Sequence, residues 1–211
     1  MRTLADYINN CIADNISESI LSSTRTGKAG MDEDFKKYRL DPDKVTLNTD
    51  GSIDYNGNVN FLQCDLTKLP FKFRKVNGHF NCSNNMLTTL EGCPIECKNF
   101  LCAYNKLTSL EHAPAIVNGV FDCVHNKLTS LEGSPEEVKY NFFCSDNQLT
   151  SLNGGPKQVG SDYDCSYNKL TSLEGLPKKL DMKLYCGNNA TKFTIEDVLA
   201  LCKIRKSNIH V

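Results

Sequence analysis

The chain is expected to fold as an α/β repeat solenoid, a stack of about seven short coils, and three regularities in its sequence carry that expectation. Phe61, Cys82, Cys102, Cys123, Cys144, Cys165 and Cys186 follow one another at intervals of 21 residues, with a single interval of 20. Three residues after each stands Cys64, Asn85, Asn105, Asn126, Asn147, Asn168 or Asn189. Leucines recur in two further columns, Leu66 to Leu170 and Leu69 to Leu173. The clearest copies of the unit run from Phe121 to Pro135 and from Tyr163 to Pro177.

Spacing and residue type together match the leucine-rich-repeat consensus. In each copy the aromatic-x-Cys segment alternates in and out as a strand does, so Phe121 and Cys123 are expected inside and Asp122 outside. The Asn is placed to turn its amide inward and satisfy backbone groups that the bend leaves unpaired. Glu-Gly followed by Pro breaks the regular chain and returns it across the convex side. No coil buries its own apolar face, so stability comes from neighbouring coils and both ends need covers.

The chain divides into residues 1–40, 41–192 and 193–211. In the first part, Leu4, Ile8, Ile12, Ile16 and Ile20 form the stripe of an amphipathic helix. This helix is expected to cover the first coil, and residues 4–20 also offer a surface for self-association. A polar linker follows from Ser22 to Leu40, with a short helix near Asp34–Tyr38. The second part begins with a hairpin, Val45–Leu47 and Ser52–Tyr55 around Thr49-Asp50-Gly51, which leads into the coils. The third part is a helical cap opened by the capping box Thr194-x-x-Asp197, with Phe193 as staple to Val198, and it ends in an extended piece, Asn208–Val211.

Composition excludes several functions. The 211 residues are 40% hydrophobic and 23% charged with a net charge of -1, and no basic stripe is present, which argues against nucleic acid as partner. No apolar run has membrane-spanning length and no secretory signal pattern is seen. Of the eleven cysteines, most hold repeated core positions, so they read as reduced structural thiols in a reducing cytosol. Cys93 and Cys97, beside Cys82 and Cys102, are too loosely spaced for a metal site, and Gly27-Lys28 lacks the rest of a phosphate loop. No cofactor and no metal are expected.

The residues that vary between copies mark the candidate site. Leu101, Asp122, Phe143, Asp164 and Tyr185 precede the inward column, and Tyr104, His125, Asp146 and Tyr167 lie two residues beyond it. Both sets are expected on the exposed strand face, where aromatics supply contact area and carboxylates at the margin select a basic partner. His125 between Asp122 and Asp146 could do acid–base chemistry, but an open sheet does not exclude water, so the expected function is binding rather than catalysis.

Two resemblances follow from these residues. The copy Cys165 to Pro177 and the run Thr67 to Phe73 resemble the short leucine-rich-repeat proteins of tailed bacteriophages, and Phe193–Val211 is similar to their closing segment. This likeness spans residues 41–211 and implies a protein-binding role, against a bacterial host protein in the host cytoplasm. Met1 to Ile8 resembles the capsid-targeting peptides of large tailed phages, which are cut after a Leu/Ile-x-Glu motif. Ile16-Ser17-Glu18 fits that motif, with cleavage between Glu18 and Ser19, and this second likeness implies a virion component instead.

Overall fold

In the computed structural model, which describes residues 28–211, the coils stack as a parallel β-solenoid. Each full coil contributes two short strands. The second strand of a coil was not foreseen: after the Gly-Pro turn the returning chain pairs again instead of crossing an irregular convex side. One sheet comprises β1 (Val45–Leu47), β2 (Ile53–Tyr55), β4 (Phe73–Val76), β6 (Glu96–Cys97), β8 (Ile116–Val117), β10 (Glu137–Val138) and β12 (Gln158–Val159). The other comprises β3 (Val59–Asn60), β5 (Phe80–Asn81), β7 (Phe100–Leu101), β9 (Phe121–Asp122), β11 (Phe142–Phe143), β13 (Tyr163–Asp164), β14 (Leu184–Tyr185) and β15 (Ile209–His210).

The α/β class is therefore corrected to a two-sheet solenoid in which, among the described residues, α-helix is confined to α1 (Lys28–Lys37) and α2 (Ile195–Leu201). Eight strands in the second sheet make about eight turns rather than seven, because the C-terminal segment closes a further one. Lys203 bridges Lys179 in parallel, and Ile209–His210 then pair with Leu184–Tyr185.

The core is built from columns. Phe80, Phe100, Phe121, Phe142 and Tyr163 are fully buried and meet ring to ring, with neighbouring centroids 5.2 to 5.9 Å apart. Beside them run the buried thiols of Cys82, Cys102, Cys123, Cys144, Cys165 and Cys186, and the two leucine columns complete the interior. Each buried ring removes apolar area from water worth about 1.5–3 kcal/mol, and parallel pairing at roughly 4.8 Å brings identical side chains together in every coil. Tyr163 departs from Phe, and burial, with the Cys144 thiol beside it, holds its hydroxyl well above its ordinary pKa.

Backbone polarity is managed by the asparagines, as their inward placement predicted. Asn126 Nδ2 donates to the carbonyls of Cys102, Cys123 and Val124, and its Oδ1 accepts from Leu107 N at 3.0 Å. Asn105, Asn147, Asn168 and Asn189 repeat the arrangement, each tying its own coil to the preceding one. Gly133, at φ 91°, makes the turn before the returning strand, where a Cβ would sit 2.6 Å from Leu110 O.

The two ends close as the physics of a stack requires. The antiparallel hairpin β1–β2 forms where expected, with Val45 opposite Tyr55 and Leu47 opposite Ile53, and β2 pairs with β4. The stretch read as a linker contains α1, which docks on the first coil: Phe35 is fully buried, its ring 4.9 Å from Phe71, and Tyr38 packs edge-on against Phe61 at 5.3 Å. The apolar face at this end is thus covered from within 28–40, while the predicted helix over residues 4–20 and the Glu18–Ser19 cleavage point lie outside the described residues. At the other end Thr194 and Asp197 form the reciprocal capping box of α2, and Phe193, Val198 and Cys202 are buried.

Replacing Asn147 by Ala strands four backbone groups inside the stack and is expected to cost about 3 kcal/mol. Asn189→Ala, at the half-buried final rung, should cost roughly a third of that. Denaturant unfolding of the two variants checks the order.

Candidate functional site

Parallel in-register pairing sets the first part of the site. Leu101, Asp122, Phe143, Asp164 and Tyr185 are direct cross-strand partners in sequence and form one half-buried column on the outer face of the second sheet. Asn60 and Asn81 extend the column at one end and His210 at the other. His210 was missed by sequence reasoning, although the expected final strand at Asn208–Val211 was the signal for it. Its ring stacks on Tyr185 with centroids 4.6 Å apart.

The polar members of this column are engaged within their own turns. Asp122 Oδ1 accepts from Val124 N at 3.1 Å, and Asp164 Oδ1 accepts from both Ser166 N and Ser166 Oγ. Burial pushes the Asp122 carboxyl above its ordinary value, with the hydrogen bond from Val124 opposing and nearby Asp164 adding to the rise. Asn60 and Asn81 brace their turns through Leu62 N and Ser83 N in the same way. Leu101 and Phe143 have no such role, and Tyr185 is engaged by the His210 ring on one face, so these three are the members that can meet another surface.

Tyr104, His125, Asp146 and Tyr167 are not on the strand face, where the sequence reading placed them. They occupy the corner beyond it, in the left-handed region at φ 52–55°, together with Gln63, Asn84 and Asn188. The chain turns there so that the following Asn can face inward, and strict alternation ends with the strand. Asn and Asp tolerate this conformation, whereas a tyrosine adopts it at a cost of about 1–2 kcal/mol. Tyr104 and Tyr167 remain 51% and 56% exposed, so packing does not recover that cost. Tyr104 regains part of it by stacking on His125 at 4.5 Å, and Tyr167 stacks on no ring among the described residues.

Chemically the surface has contact area and little else. His125 Nε2 lies 3.8 Å from Asp146 Oδ2, and both side chains are open to solvent. No water-excluded pocket surrounds the pair. A groove among the described residues lies elsewhere, between α1 and the turns of the first coils, lined by residues such as Tyr38, Lys68, Arg74 and His112. Among the described residues, no group of three or more His, Cys, Asp or Glu could hold a metal ion, and no helix is long and apolar enough to cross a membrane.

The outer face of the first sheet differs. There Asp54 pairs with Arg74, Lys75 with Glu96 at 2.8 Å, and Glu136 with Lys157 at 2.6 Å, each pair joining two coils. On that face these six charges are matched in pairs. Comparison with protein-family models, curated proteins and solved structures yields no match for this chain.

Tyr167→Asn relieves the corner without removing a ring contact and is expected to stabilise the protein by about 0.5–1 kcal/mol, read as a rise in thermal midpoint. A fall in midpoint would show that the tyrosine packs usefully on the isolated molecule.

Proposed function

We propose that this protein is a non-enzymatic binding module of a tailed bacteriophage, a solenoid of the leucine-rich-repeat type whose second sheet engages a protein of the bacterial host. The leucine-rich-repeat assignment rests on the two leucine columns and the asparagine ladder, and the phage assignment on the likeness of residues 41–211 to short phage repeat proteins.

One observation carries the binding reading. Leu101, Phe143 and Tyr185 stand outward on a sheet that is otherwise saturated, beside half-exposed tyrosines held in an unfavourable backbone conformation. Side chains kept at a conformational cost that packing repays little, as at Tyr104, or not at all, as at Tyr167, fit retention for contact rather than for stability. An open surface bearing one solvated His–Asp pair does not favour catalysis.

Affinity capture from host lysate tests this. The expected result is a host protein retained by the full chain and lost on Phe143→Ala combined with Tyr167→Ala, with the fold intact by circular dichroism. Recovery of the chain from purified particles by mass spectrometry, beginning at Ser19, would instead support the virion reading drawn from its N-terminal segment.

A further inference from the structure

The corner column repeats a second feature besides its backbone conformation. Where the left-handed residue is aromatic, the residue two positions on is lysine: Tyr104 with Lys106, His125 with Lys127, Tyr167 with Lys169. Where it is not, lysine is absent: Gln63, Asn84, Asp146 and Asn188 are followed by Asp65, Met86, Gln148 and Ala190. The ring and the cation therefore come as a unit, and all three lysines are exposed.

The charges around this unit are unequally committed. Asp122 and Asp164 are held by their own turns, and Asp146 faces His125. Lys106 and Lys127 have no ion-pair partner among the described residues, and Lys169 meets only the Gln148 amide oxygen at 3.4 Å. Sequence reading gives the selecting charge to the carboxylates, but Asp122 and Asp164 are half-buried against their own turns, and the exposed charges without an ion-pair partner at the corner are these lysines.

We infer that the protein bound by the second sheet presents an acidic segment along the corner, its carboxylates meeting Lys106, Lys127 and Lys169 and its apolar groups lying on Tyr104 and Tyr167. The inference rests on the protein-binding reading and adds the sign of the partner's charge. A polyphosphate chain fits less well, because it has no apolar groups to lie on the exposed rings of Tyr104 and Tyr167.

The probe is a dye-labelled peptide of alternating Glu and Leu, with a Lys-for-Glu counterpart, titrated against the full chain by fluorescence anisotropy. The Glu peptide is expected to bind about tenfold more tightly than the Lys peptide, and to lose about that factor on Lys106→Gln, Lys127→Gln and Lys169→Gln combined and at high salt. Tyr104→Asn with Tyr167→Asn should weaken it as well, although the corner is then less strained. Equal binding of the two peptides, no binding of either, an unchanged triple variant, or displacement of the Glu peptide by lower concentrations of a single-stranded oligonucleotide would each overturn the inference. A lysate partner that survives the triple lysine variant but is lost with Phe143→Ala would sink the acidic segment and leave the protein-binding reading standing.

Discussion

The asparagine side chain at each corner is the interaction on which the solenoid depends. A coil that bends around an apolar interior turns backbone carbonyls and an amide away from water, and those groups need partners. Asn147 meets the carbonyls of Cys123, Cys144 and Ser145 and the amide of Leu128 with one side chain. Because two of those partners belong to the preceding coil, the same residue that closes one turn also fastens it to the last. This explains the exception at the start, where Cys64 stands in the asparagine position. The first coil has no earlier coil to fasten, and its backbone at Cys64 and Leu66 is served by Asn85 from the next one.

The same constraint shapes the surface. Turning each asparagine inward puts the residue before it in the left-handed region, so the fold presents a row of strained corner positions for structural reasons alone. Filling some of them with Asn is the low-energy solution, and Asn84 and Asn188 take it. Tyr104 and Tyr167 do not, so the needs of the scaffold alone do not account for them. The two sheets divide along the same line, one closing its charges into pairs between coils and the other leaving Leu101, Phe143 and Tyr185 outward.

The interior was readable from the order of residues because a fixed period reports a shared environment. The inward Cys, Leu and Asn columns, the hairpin around Asp50-Gly51 and the capping box at Thr194 all follow from local chemistry repeated at known intervals. Three things did not. A two-residue strand such as Glu137–Val138 is too short to show a period of its own, so the first sheet was hidden. The short helix expected near Asp34–Tyr38 runs instead over Lys28–Lys37 and is mostly polar, so its docking, through Phe35 and Tyr38 onto aromatics far along the chain, had no local signal. The corner residues were misplaced because alternation was carried past the end of the strand, and a positive φ at tyrosine has no sequence signal.

The central claim is that the repeated thiols and asparagines line a closed interior and leave the variable columns outside, and thiol labelling of the native protein tests it most directly. Burial holds the thiols of Cys123, Cys144 and Cys165 well above their ordinary pKa, further disfavouring the reactive thiolate, whereas Cys64 is half-exposed. Mass-resolved labelling at neutral pH is expected to modify Cys64 readily and to reach the other three only on unfolding. Rapid modification of Cys123, Cys144 and Cys165 in the folded protein would contradict the account.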